Sequence, residues 1–248
     1  MRNNHPAIKG FYLLGIYICL LGMTFIYADG HMGYLAKGIN YFGVPILILF
    51  FRMNTAIDTR FAKHIFYGLI LFAISCISSI AVPIMGKYSI HLTLVSWIVA
   101  YTNYSKALIS ITSMSSSILY KKSWIVLLIL IIIVALHSLL WKDINLIDYL
   151  CIPISCLALI NLIFFMASVN LYRQLSVSLF RMLCISAVIL FGYNCLIGVI
   201  IYKNSSIFDS YFTLLFYLGQ LLFMYTSVRA SIHFKTEETI NLADLIKQ

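Results

Sequence analysis

The chain has 248 residues, 62% of them apolar and 10% charged, with a mean hydropathy of +0.97 and a formal charge of +9. A soluble domain carries roughly 25% charged residues and small apolar patches, so composition excludes a globule dissolved in water and predicts an integral membrane protein. Nucleic-acid binding is not expected, because it needs Lys and Arg clustered on one face, and here the bases are scattered between apolar runs.

In chain order, Arg2 and Lys9 precede an apolar stretch that ends near Ala28, an arrangement that mimics a secretory signal. The stretch is long for a signal core and Ile26-Tyr27-Ala28 is a poor cleavage sequence, so an uncleaved first crossing is expected over residues 11–27. The second run, Ile39 to Phe51, is short. The third covers residues 64–84 and the fourth 91–119. The fifth, 124–141, is the most purely aliphatic and is expected to face lipid. The sixth spans 149–169, the seventh 182–202 and the eighth 211–228. About 20 apolar residues in a helix cross ~30 Å of hydrocarbon, and backbone groups in lipid must be bonded within the segment or in a closed barrel. Continuous apolar runs without alternation rule against a barrel. The expected fold is an all-α polytopic membrane bundle of eight transmembrane helices, or seven if the second run is re-entrant. Connections are short and free of Gly/Ser linkers, which predicts one membrane domain over residues 1–235 and a short cytoplasmic tail over 236–248, read either as solvated or as a short amphipathic helix.

Charge predicts orientation, since cytoplasmic loops are enriched in Lys and Arg. With eight crossings one side carries twelve bases (Arg2, Lys9, Arg52, Arg60, Lys63, Lys121, Lys122, Arg173, Arg181, Arg229, Lys235, Lys247) and the other four (Lys37, Lys87, Lys142, Lys203). Both termini are then cytoplasmic, in a plasma (inner) membrane. With seven crossings the division is eleven to five and the N-terminus lies outside. All eight carboxylates fall outside the runs.

Six cysteines show no CxxC spacing and six histidines no i, i+4 pair, so neither a disulfide framework, a metal site nor a cofactor is expected. Nucleophile-elbow, zincin, phosphate-loop and dinucleotide motifs are absent from the sequence. The polar residues inside the runs therefore carry the functional signal. Asn103, Lys106, Ser110, Ser113 and Ser117 step by 3, 4, 3 and 4 and share one helical face. A Lys near mid-bilayer costs roughly 2.5–3.5 kcal/mol on insertion scales. With no intramembrane acid to pair with, Lys106 is read as meeting an external anion, such as a lipid phosphate or fatty carboxylate, as bonding Asn, Tyr and carbonyl groups, or as snorkelling to the cytoplasmic surface. Ser78, Ser79, Asn161, Asn194 and Gln220 are further internal polar positions, and Tyr101 and Tyr104 lie deeper than the other tyrosines. Ser79, Tyr101, Asn103, Lys106, Asn194 and Gln220 form the candidate cavity or lipid-binding set.

Several segments resemble the YhhN-like membrane proteins that include lysoplasmalogenases. Lys37-Gly-Ile-Asn-Tyr-Phe-Gly-Val-Pro-Ile-Leu-Ile is similar to the family's Lys-Pro-Leu opening of its second helix. Trp97-Ile-Val-Ala-Tyr-Thr-Asn-Tyr104 resembles its Phe-x-x-x-His-x-x-Tyr stretch in the fourth. Phe191-Gly-Tyr-Asn-Cys-Leu-Ile-Gly is similar to its Phe-x-x-Ser-Asp-x-x-Leu segment in the seventh, and Tyr217-Leu-Gly-Gln-Leu-Leu to the opening of the eighth. The resemblance implies eight spans with cytoplasmic ends and a chain that binds an ether lysolipid or hydrolyses its vinyl ether bond. Its implied partners are membrane lipids, among them a lysolipid or other anionic amphiphile. Where the family has Gly-Asp and Ser-Asp, however, this chain has Ser78-Ser79 and Tyr193-Asn194, and Tyr101 stands for the family histidine. Amides and hydroxyls of this kind do not replace a pair of carboxylates as general acid and base. A lipid-sensing or scaffolding protein without turnover, and a small-solute transporter, are the other classes compatible with the sequence.

Overall fold

The computed structural model describes residues 8–26, 38–80, 87–112, 124, 131, 151–203 and 206–246. Among these it is all-helical, with α1 (Phe11–Ile26), α2 (Gly38–Asn54), α3 (Arg60–Ile80), α4 (Lys87–Ser110), α5 (Cys151–Asn170), α6 (Val177–Lys203) and α7 (Ser206–Ile246). Three of the helices contain stretches long and apolar enough to cross a membrane: Arg60–Ser78, Ile152–Asn170 and Val177–Asn194. That is the signature of a membrane protein. α1 and α2 are apolar but shorter, and α4 is interrupted by His91, Asn103 and Lys106. Of the fifth run only Trp124 and Ile131 are described, both helical and both exposed. The rest of that run lies outside the described residues.

Local chemistry fixes the helix ends. The Thr59 hydroxyl accepts from the Ala62 amide at 3.1 Å, so α3 starts four residues before the apolar run begins. Ser176 caps α6, its hydroxyl accepting from the Leu179 amide at 3.4 Å, and that helix also starts earlier than hydropathy suggests. These capped donors have no partner inside the helix. Pro45 sits inside α2 without ending it, and Pro153 is the third residue of α5, where no helical N–H bond is lost. The second run is therefore a continuous helix.

Neighbouring helices pack in chain order, and α7 closes the ring by touching α1, α2 and α3 as well as α6. Asn54 clamps the end of α2 to the start of α1, accepting from the Lys9 amide at 2.6 Å and donating to its carbonyl at 2.8 Å. α3 and α4 run antiparallel. His64 meets Asn103 at one end of this pair, while at the other Ser78 donates to the Ser89 carbonyl at 3.0 Å and Ser89 donates back to the Ser78 carbonyl. Ring contacts of Trp97 with Phe216 (5.6 Å) and Tyr104 with Phe223 (4.6 Å) align α7 parallel to α4. The pairs Tyr193–Phe216 and Ser186–Gly219 set α6 antiparallel to α7, and Asn194–Asn161 with Tyr172–Phe180 set α5 antiparallel to α6. It follows that α5 runs parallel to α4.

One end of the bundle collects Lys9, Arg52, Arg60, Lys63, Lys106, Arg173, Arg181 and Arg229, whereas Lys87 and Lys203 mark the other. Of the two readings of the tail, the structure has the helical one. α7 continues through Glu237, Glu238 and Asp244 to Ile246, because nothing between Thr236 and Ile246 breaks a helix: there is no Gly or Pro in that stretch. At 1.5 Å per residue its 41 residues extend about 61 Å, roughly twice the thickness of the hydrocarbon.

Candidate functional site

The inner face of α4 presents Trp97, Tyr101 and Tyr104, spaced by four and three residues, all buried. That spacing stacks them on one stripe of a helix. Phe72 of α3 sits among them, with ring centroids 5.3 Å from Tyr101, 5.6 Å from Tyr104 and 5.6 Å from Phe216 of α7. Phe164 of α5 lies 5.6 Å from Tyr101 and 5.1 Å from Phe223. Tilted and edge-on pairs of this kind contribute about 0.5–1.5 kcal/mol each beyond burial. In a solvent of lipid tails, where apolar burial does not drive helix association, such packing matters more. Gly68 of α3 makes the contact with α4 possible, since a Cβ there would collide with the Tyr104 ring and lie 3.2 Å from the Ala100 carbonyl oxygen.

A string of neutral polar groups runs through this aromatic centre. The Asn194 Nδ2 group, on α6, donates toward the Tyr101 hydroxyl (2.8 Å), Asn161 Oδ1 of α5 (3.0 Å) and the Leu190 carbonyl (2.7 Å). Tyr104 donates to Gln220 Oε1 of α7 at 3.5 Å. Nearby, the Tyr17 hydroxyl donates to the Tyr217 carbonyl at 2.8 Å. Trp97 Nε1 donates to Ser75 Oγ at 2.8 Å, and Ser75 Oγ donates in turn to the Phe72 carbonyl at 2.7 Å. Two atoms of the string have no hydrogen-bond partner among the described residues. They are Asn194 Oδ1, an acceptor, and Gln220 Nε2, a donor, on side chains only 1% exposed. An unmet buried polar group costs about 1–3 kcal/mol, so this pair is the least satisfied part of the centre. Thr55 Oγ1 and Ser227 Oγ are also unpartnered, but they lie just after α2 and two turns beyond Gln220.

Of the sequence candidates, Tyr101, Asn194 and Gln220 meet here. Asn103 and Lys106 do not: Asn103 is half-buried and Lys106 exposed. The polar stripe of the fourth run, as far as it is described, points outward. The inward stripe is taken by aromatic and small residues, which fill the interior better, while the polar stripe reaches the basic end of the bundle. Ser113 and Ser117 lie outside the described residues, as does the Ser79 side chain. Its neighbour Ser78 is buried and serves the α3–α4 clamp. Asn161, Phe72, Trp97 and Phe164 complete the centre without having been among the candidates. The signal for Asn161 was a lone amide in an aliphatic run, and for Trp97 its helical spacing from Tyr101 and Tyr104.

Chemically the centre offers amides, phenols and an indole. Among the described residues no group of three His, Cys, Asp or Glu could hold a metal. An unpartnered acceptor on α6 and an unpartnered donor on α7, both buried among neutral and aromatic side chains, suit a neutral group that both donates and accepts, such as a hydroxyl. No family model, curated protein or solved structure matches the chain.

Proposed function

We propose that this chain is an eight-crossing plasma (inner) membrane protein that binds the polar, hydroxyl-bearing part of a lysolipid-type amphiphile at its centre without hydrolysing it. The observation that carries the reading is the unpartnered pair Asn194 Oδ1 and Gln220 Nε2 inside an aromatic centre. A lysolipid hydroxyl offers the donor that Asn194 Oδ1 lacks and the acceptor that Gln220 Nε2 lacks, and the surrounding rings suit its chain. Tyr101 and Asn194 both lie in segments that carry the resemblance to YhhN-like proteins, and they are bonded to each other at 2.8 Å. The same pair supports binding over turnover, because the Asn194 amide cannot act as a general acid or base near neutral pH and neither side chain is a carboxylate.

Parity supports the eight crossings. α1 starts and α7 leaves the ring at the basic end, α4 finishes there, and α5 begins at the opposite end. An odd number of crossings between α4 and α5 reconciles these directions, and the fifth run, residues 124–141, is long enough for one. The excess of bases at the end holding both termini favours the cytoplasm for that side.

The test is equilibrium binding of a vinyl-ether lysolipid to the protein in nanodiscs, with aldehyde release followed in the same samples. Saturable binding, at least about tenfold weaker in Asn194→Leu/Gln220→Leu, is expected with no aldehyde above background. Aldehyde release by the wild type, or binding indifferent to the double substitution, would overturn the reading.

A further inference from the structure

The outward polar stripe of α4 meets a matching feature on α3. His64 Nδ1 lies 3.0 Å from Asn103 Oδ1, across the seam between the two helices. Asn103 Nδ2 in turn donates to the Val99 carbonyl at 2.8 Å, which fixes its oxygen as the acceptor and the histidine nitrogen as the donor. Arg60 stands one turn before His64, and Lys106 one turn after Asn103. Because the helices are antiparallel, both cations flank this bond at the basic end, and both are exposed. Neither α3 nor α4 contains a carboxylate. On the outer faces of the same two helices, away from the basic end, Ile70, Ile74, Val95 and Val99 are exposed.

We infer that this seam is a binding site for an anionic glycerophospholipid, whose phosphate is held by Arg60 and Lys106 and whose acyl chain lies along Ile70, Ile74, Val95 and Val99. The lysine sits within a membrane helix, four residues from its last residue, on the surface that the surrounding lipid touches. A cation there is costly unless it reaches an anion or water. The guanidinium suits the planar, two-point hold on a phosphate and the ammonium adds a point charge. The His64–Asn103 bond holds the two helix faces in register, so the cations converge on one headgroup. The apolar outer faces of the two helices separate a lipid from a free ion, for which they would have no use. The site is independent of the aromatic centre, from which Lys106 points away.

The experiment is native mass spectrometry of protein released from nanodiscs containing phosphatidylglycerol and phosphatidylcholine. Wild-type protein should retain phosphatidylglycerol preferentially. Lys106→Met and Arg60→Gln should each lower that preference about fivefold, the effect of removing one base near an anionic surface, and Lys106→Arg should keep it. Arg181→Gln, at the same end of the bundle on α6, should leave it unchanged. All the substituted side chains are exposed, and a monodisperse elution profile verifies folding. Equal retention by wild type and Lys106→Met/Arg60→Gln would overturn the proposal, as would an equal loss in Arg181→Gln. Displacement of the lipid by inorganic phosphate alone would also overturn it, since the acyl path would then contribute nothing.

Discussion

Asn194 is oversubscribed, with two N–H bonds facing three acceptors. Losing the Tyr101 hydroxyl therefore leaves both hydrogens satisfied, and Tyr101→Phe should cost no more than about 0.6 kcal/mol, the mean for an interhelical bond in a membrane. Asn194→Leu instead strands the Tyr101 hydroxyl and Asn161 Oδ1 in a dry interior, which should cost about 1–3 kcal/mol. Thermal unfolding in detergent compares the two, and equal midpoints would refute the account of the network. Glycines separate in the same way. Gly68→Ala drives a methyl into the Tyr104 ring with a backbone oxygen behind it, an overpacking worth about 1–3 kcal/mol. Gly192 has open space where a Cβ would go, so alanine there should be neutral or stabilise by up to about 1 kcal/mol through helix propensity. Of these residues Tyr101, Asn194 and Gln220 were legible in the sequence, because an amide or a deep phenol in an apolar run needs a reason to be there. Gly68 was not, since only the structure shows which ring crosses it.

At the level of the helix, the periodicity of α4 correctly grouped Asn103, Lys106 and Ser110 on one face but could not say where that face looks. Spacing gives relative angles, and only neighbours give the direction. The decisive neighbours, Phe72, Phe164 and Phe216, come from three other helices. Helix ends were shifted for a similar reason: hydropathy measures contact with lipid, while Thr59 and Ser176 end helices by supplying oxygens to unpaired amides. Direction along the bundle is testable by labelling. In a cysteine-free background, Asp58→Cys and Arg173→Cys, both in connections at the basic end, should react with an impermeant maleimide from one side of the membrane, and Lys203→Cys from the other. Labelling of Asp58→Cys and Lys203→Cys from a common side would contradict the alternating arrangement.

For the molecule as a whole, composition pointed to the bilayer and the ring of helices agrees with it, with exposed Ile, Leu, Val and Phe around its outside. The helical continuation at the C-terminus was one of two readings the sequence allowed, since a polar stretch without Gly or Pro can stay helical. Among the α7 residues whose side chains are described, the buried ones lie between Phe216 and Ala230, so that stretch is where α7 packs against the other helices. The neutrality of the centre has a further consequence. A membrane potential does work only on displaced charge, about 2.3 kcal/mol per elementary charge per 100 mV, and the amides, phenols and rings gathered around Tyr101 carry none. Rearrangement at this centre should therefore proceed equally well in energised and de-energised membranes, and voltage would be felt only by the cations at the rim.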